Sequence, residues 1–180
     1  MRGKALPAGD LEALARAWLG RLEGLPTLVI VNDRLDAALA AGAHGAHLGR
    51  EDLPIAAARS VAPAGFLLGA SGHDAAELRT AEAEGADYAG LGSFFPTSTK
   101  PDAAPLDAVT AGLGEPLAGL AIPVLGVGGV DTERAWRALA VPAVTGVAVS
   151  RAIQAAPDPA AAIDALRRAV DTAWAARGRA

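Results

Sequence analysis

Ile122-Pro123-Val124-Leu125-Gly126-Val127-Gly128-Gly129-Val130 is the stretch on which the fold turns. An apolar run short enough for a buried strand ends in a glycine turn. Such a turn lets backbone N–H groups approach a phosphate closely. Downstream, Gly146-Val147-Ala148-Val149-Ser150-Arg151-Ala152-Ile153 has a similar layout: an apolar run, then Ser150-Arg151 at the opening of a helix, where the helix dipole helps hold an anion. An open dinucleotide-binding sheet carries its glycine fingerprint after the first strand. Here Asn32-Asp33 stands at that place, and no GxxxxGK[ST] loop occurs. Phosphate-binding turns after the last two strands are the habit of (β/α)8 barrels. As neighbours in a barrel, the two segments would form one phosphate cup.

Working outward, extended segments are predicted at 27–32, 45–49, 66–71, 88–92, 124–128 and 146–150. Helical patterns lie at 10–22, 33–41, 54–61, 74–84, 105–113, 132–140 and 159–176. Strict alternation implies a parallel sheet with right-handed crossovers. A complete barrel needs eight strands and about 250 residues. The sequence predicts one α/β domain over residues 1–180 of the (β/α)8 TIM-barrel type, and six strands leave three possibilities: the first two strands are lacking, another subunit covers an edge, or the fold is open. Two uncovered edges and an apolar lumen would favour self-association or low stability. Asp74 and Glu77 have the spacing of a capping box, with Ala75, Leu78 and Ala81 facing the sheet. Leu11, Leu14, Trp18 and Leu22 line one face of the first helix. Trp18, Trp136 and Trp174 read as packing residues.

Composition narrows the function. The 180 residues carry 16 Lys+Arg against 20 Asp+Glu, a formal charge of −4, which argues against a dedicated nucleic-acid binder. With no cysteine, disulfides, thiolate metal sites and Cys nucleophiles are excluded. No basic, then apolar, leader follows Met1 and no run of about 18 apolar residues occurs. The expectation is a cytoplasmic chain that acts without a membrane.

Chemistry-bearing residues gather at the predicted C-terminal strand ends, the face where barrel enzymes place their sites. Asn32-Asp33 follows the first strand, with helix capping by Asp33 as the plainer alternative. Asp52 follows the second strand. Two carboxylates at adjacent strand ends suit Mg²⁺ bound together with substrate phosphates, although Glu51 or Asp52 could instead cap the helix at Pro54. His47 reads as a packed or satisfied histidine with no catalytic role. Ser71, in Gly69-Ala70-Ser71-Gly72-His73, can donate to an anion; without a GxSxG pattern a hydrolase is rejected. Thr97-Ser98-Thr99-Lys100, between prolines, has the makings of an anion-binding loop.

At these residues the chain resembles the thiamine phosphate synthase family. The likeness runs through VNDRLDAALAAGAHGAHLGREDLP, GASGH, GADYAGLGSFFPTSTKPDA, IPVLGVGGV and GVAVSRAI, from Leu28 to about Ile153. The resemblance implies a barrel enzyme that joins a pyrimidine pyrophosphate to a thiazole phosphate, releasing pyrophosphate, with Mg²⁺ on Asp33 and Asp52. It implies that Asn32, Ser71 and Lys100 hold the pyrimidine pyrophosphate, Ser71 and Lys100 acting in catalysis. Thr97, Ser98 and Thr99 would contact the thiazole phosphate, together with Gly129 and the Ser150-Arg151 backbone. Arg2 and Lys4 fall at cationic positions of a QLREK-like segment whose Gln has no counterpart here. Arg50 stands where the family usually has Gln, and Arg151 where it has Ser. The implied partners are small phosphorylated substrates, not nucleic acid or membrane. The implied mechanism is dissociative, and it needs no protein nucleophile. Two alternatives are a thiazole tautomerase, whose His would fall at Ser93, and a non-catalytic phosphate-ligand binder.

Overall fold

The computed structural model describes residues 1, 3, 5–96 and 117–178. The predicted helix at 105–113 and the stretch Thr97 to Lys100, like Arg2 and Lys4, lie outside the described residues. Six strands are found among the described residues: β1 (Ile30–Asn32), β2 (Gly45–Leu48), β3 (Leu67–Gly72), β4 (Tyr88–Gly92), β5 (Val124–Val127) and β6 (Val144–Ala148). Their order in the sheet is the order of the sequence. Between and around them run α1 (Ala8–Arg21), α2 (Leu35–Ala41), α3 (Ile55–Val61), α4 (Ala75–Ala83), α5 (Ala135–Leu139), α6 (Arg151–Gln154) and α7 (Pro159–Arg177). This is the parallel α/β repeat that the alternating pattern predicts.

The described residues fall into two compact units, Met1–Ser71 with Thr80–Tyr88, and Gly72–Arg79 with Ala89 onward. In the first, β1 pairs with β2 and β2 with β3, all parallel. Val31, Ala46, Leu48, Leu68 and Ala70 are buried. They alternate with Asn32, His47, Gly69 and Ser71 on the opposite face, because successive strand residues point to opposite sides. On the outer edge of β1, the Met1 N–H donates to the Ile30 carbonyl at 2.6 Å. The Asn32 N–H donates back to the Met1 carbonyl at 2.8 Å. That is one parallel bridge on an otherwise edge strand.

In the second unit β4 pairs with β5 and β5 with β6. Leu78, Leu91, Phe94, Leu117, Val124 and Val144 make its core. Each is 2% exposed or less, and full burial of such a side chain is worth about 1.5–3 kcal/mol. Leu166 and Val170 of α7 pack on this core. The Arg177 guanidinium donates to the Val144 carbonyl at 2.8 Å, tying the helix to β6. The long C-terminal helix thus packs on the core of this unit and is fastened to the start of β6.

Three of the boundaries that differ from the sequence expectation have a visible local cause. β1 begins at Ile30, not at 27, because the Val29 N–H is taken by His44 Nδ1 at 2.9 Å rather than by a strand ladder. β6 begins two residues earlier than expected. Val124 faces Val144 but Leu125 faces Gly146, so Thr145 is a bulge residue, its hydroxyl donating to the Val124 carbonyl. α5 starts at Ala135 because Asp131 Oδ1 accepts from the N–H groups of Glu133 and Arg134 and holds the chain in a turn. The capping box at α4 forms: the Glu77 N–H donates to Asp74 Oδ1 at 2.9 Å, and the Glu77 carboxylate accepts from the His73 N–H at 2.8 Å. The tryptophans correct the packing expectation. Trp18, Trp136 and Trp174 are 46%, 59% and 39% exposed, and the Trp174 ring carries the Arg177 guanidinium on its face.

Candidate active site

In the first unit the strand register assembles the polar residues. Asn32 lies opposite His47, and His47 opposite Gly69, in one row across three strands. Ser71 is two residues beyond Gly69 and so shares that face. His47 Nε2 is 2.9 Å from Ser71 Oγ and His47 Nδ1 is 3.2 Å from the Tyr88 hydroxyl. Burial pushes the Tyr88 hydroxyl up to about 12. A Cβ on Gly69 would meet Tyr88 Cζ at 2.2 Å and His47 Nδ1 at 2.5 Å, so glycine at that position is what lets the two rings meet.

Asp33 follows β1 directly and adopts φ +67. Its N–H donates to the His47 carbonyl at 2.9 Å, and the Arg34 N–H donates to the Asn32 carbonyl at 2.8 Å. An i to i+2 bond across a residue of positive φ is a γ-turn arrangement, rare and strained for a non-glycine residue. The capping alternative for Asp33 does not hold, since the N-cap of α2 is Arg34. The Arg34 guanidinium is engaged by Asp36 through two bonds. That pairing raises the guanidinium's affinity for its proton and lowers the Asp36 carboxyl below the usual range.

Asp52 sits in the turn after β2. Its Oδ2 accepts from the Gly49 N–H at 2.7 Å, which holds the carboxylate at the strand end. The N-cap of α3 is Pro54, so neither Glu51 nor Asp52 caps that helix. Asp33 and Asp52 therefore come from the ends of paired strands, and both present hard oxygen donors. No cluster of three or more His, Cys, Asp or Glu side chains able to hold a metal occurs among the described residues. That donor set does not build an all-protein cage. It suits a hard cation that takes its remaining ligands from water and phosphate.

In the second unit, Gly128 and Gly129 have φ +92 and +62. The N–H groups of Phe94 and Phe95 donate to the carbonyls of Val127 and Gly128. The diglycine turn is thus laced to the segment that leads into the hydroxyl-rich stretch. A Cβ on Gly129 would strike the Pro96 carbonyl at 2.7 Å. Arg134 donates to the Gly129 carbonyl and lies over the Phe95 ring. Ser150 is the N-cap of α6, a helix of four residues. The helix that Ser150-Arg151 opens is thus a single turn, and both residues are exposed at its start.

The sequence predicts Asn32, Asp33, Asp52 and Ser71 near strand ends, and they lie at or just after the ends of β1, β2 and β3. Sequence reasoning passed over Tyr88, and the reading of His47 as a packed or satisfied histidine fits its two hydroxyl partners. Which residues meet on that face is set by strand register, which the sequence alone does not display.

A family model described as thiamine monophosphate synthase matches residues 1–153. This chain belongs to that family. It is 45% identical over 130 residues to the thiamine-phosphate synthase of Methanoculleus marisnigri, covering 72% of this chain and 61% of the relative. It is 43% identical over 141 residues to that of Methanospirillum hungatei, covering 78% and 68%. The chain thus spans about three fifths of the length of the Methanoculleus protein. A solved thiamine phosphate pyrophosphorylase from Pyrococcus furiosus superposes with a TM-score of 0.85 at 35% identity, over 96% of this chain and 82% of that one. A 3-hexulose-6-phosphate synthase superposes with a TM-score of 0.71 at 21% identity, over 88% and 80%, a likeness of fold alone. No helix of the described residues is long and apolar enough to cross a membrane.

Proposed function

We propose that the chain is a transferase that condenses 4-amino-2-methyl-5-hydroxymethylpyrimidine pyrophosphate with thiazole phosphate to give thiamine phosphate and pyrophosphate. The observation that carries this reading is the placement of Asp33, Asp52 and Ser71 on successive strand ends of one unit, in a chain of this family. Mg²⁺ on Asp33 and Asp52, when bound, would neutralise the charge that builds on the departing pyrophosphate. Asn32 and the Ser71 hydroxyl hold pyrophosphate oxygens by hydrogen bonds. Lys100 adds a point charge there, and Arg2 and Lys4 add further positive charge. Thr97, Ser98 and Thr99, with the Gly129 turn and the Ser150-Arg151 backbone, hold the thiazole phosphate.

In this reading the C–O bond to pyrophosphate breaks first, its electron pair leaving with the pyrophosphate. The pyrimidinylmethyl cation is stabilised by resonance. The thiazole nitrogen lone pair then forms the new C–N bond. No protein base takes part, and catalysis is positioning plus charge neutralisation. The Ser93 hydroxyl, at the position where a tautomerase would need a base, is buried and donates to the Phe95 carbonyl at 2.7 Å. That engagement supports the synthase reading over the tautomerase. The test is incubation of the 180-residue chain with both phosphorylated substrates and Mg²⁺, followed by chromatographic detection of thiamine phosphate. Product that depends on both substrates and on Mg²⁺ is expected. Retained thiazole-phosphate binding without product would overturn the proposal and leave a phosphate-ligand binder.

A further inference from the structure

His47 bridges Ser71 and Tyr88, with one ring nitrogen on each hydroxyl. The arrangement superficially suggests an activated serine. A nucleophilic serine needs its proton accepted by the imidazole, and an anionic group behind the ring to stabilise the imidazolium. Here the group behind the ring is a phenol, which stays protonated because burial raises it to about 12. The half-buried phenol O–H has an acceptor 3.2 Å away in His47 Nδ1, and a phenol that is partly withdrawn from water favours such a partner. If Nδ1 accepts, the neutral ring carries its proton on Nε2. Nε2–H then donates to Ser71 Oγ, and the serine's own proton is left to point elsewhere. The opposite direction would use the Ser71 proton on the imidazole and leave the phenol O–H without its acceptor.

We propose that His47 and Tyr88 are positioning residues. Tyr88 O–H donates to His47 Nδ1 and His47 Nε2–H donates to Ser71 Oγ, so that the Ser71 O–H is held as a donor to an oxygen of the bound pyrophosphate ester. The inference rests on the reading of Ser71 as a ligand of that group, and it adds what orients the serine. Gly69 is part of the device: any side chain there would occupy the space where the two rings meet.

The experiment has three arms, all on the full chain. The first is ¹⁵N-detected NMR of the histidine ring nitrogens. It should show His47 as the Nε2–H tautomer; an Nδ1–H tautomer overturns the proposal. The second is steady-state kinetics of Tyr88→Phe, Gly69→Ala and His47→Gln. Tyr88→Phe and Gly69→Ala should raise KM for the pyrimidine pyrophosphate about five- to tenfold, the effect of one hydrogen bond, with KM for the thiazole phosphate unchanged. His47→Gln should retain more affinity than His47→Ala, because its amide N–H can still donate to Ser71. Equal loss in all variants and for both substrates would mark a merely structural role and overturn the relay. The third arm is Ser71→Ala. If it leaves KM unaltered, the reading of Ser71 itself fails. If it raises KM while Tyr88→Phe does not, that reading stands and the relay falls.

Discussion

Asp33 occupies backbone that most residues avoid. At φ +67 an L-residue pays about 1–2 kcal/mol, although Asp bears it better than alanine does. Glycine would remove the strain, yet the chain keeps a carboxylate. Strain retained at one residue points to a site rather than to the scaffold. Asp33→Gly is therefore expected to be more stable than Asp33→Ala by about 1 kcal/mol, as read from urea denaturation midpoints. Both should lose Mg²⁺-dependent turnover by about 100-fold or more. An Asp33→Gly variant with normal turnover would remove Asp33 from the metal pair. The carboxylates after β1 and β2 were legible in the sequence as acidic residues following apolar runs, but only the structure set aside the capping alternative by giving the N-caps of α2 and α3 to Arg34 and Pro54. The His47–Tyr88 contact was not legible, since it depends on which residues three strands bring to one face.

At the scale of elements, the diglycine turn after β5 shows how a strand end is made to serve a site. Gly128, at φ +92, sits so close to Ser93 that a Cβ would come within 2.2 Å of its Oγ and 2.8 Å of its Cα. Gly119 has a similar φ, +84, but no heavy atom within 4 Å of the Cβ position. Gly119→Ala isolates backbone strain, expected at about 1 kcal/mol, whereas Gly128→Ala adds overpacking of about 1–3 kcal/mol. Chemical denaturation of the two variants measures the difference; equal losses would show that the turn after β5 is not tightly packed on the β4 loop. The strand and helix assignments were mostly readable from period and composition. The boundaries that moved did so where a side chain captured a backbone group, as His44 does at Val29 and Asp131 does before α5. Pattern alone carries no such information.

For the molecule as a whole, alkaline pH is the informative variable, because the chain has a single tyrosine. An unfolded tyrosine ionises near pH 10, while Tyr88 in the fold does so at about 12. Below the unfolded value its contribution to stability is complete. Between the two values the unfolded chain releases its proton first, so stability falls as pH rises through this window. The urea midpoint should drop between about pH 10 and pH 12, and Tyr88→Phe should show a smaller drop over the same range. Difference absorbance of tyrosinate reports the one phenol directly. An ordinary midpoint near 10 would show that the hydroxyl is solvated.

The quoted motifs carried the family likeness, while period and glycine placement by themselves determined the parallel βα repeat and the strand ends that carry Asp33, Asp52 and Ser71. They could do so because strands and helices impose periodicities on the chain that the sequence must display. The tertiary structure alone decided that Asp33 sits in a strained turn, that Arg34 is occupied by Asp36, and that His47 links Ser71 to Tyr88 across a glycine. Those are relations between residues distant in sequence or fixed by backbone geometry. They arise from the register of paired strands, which a single sequence does not spell out.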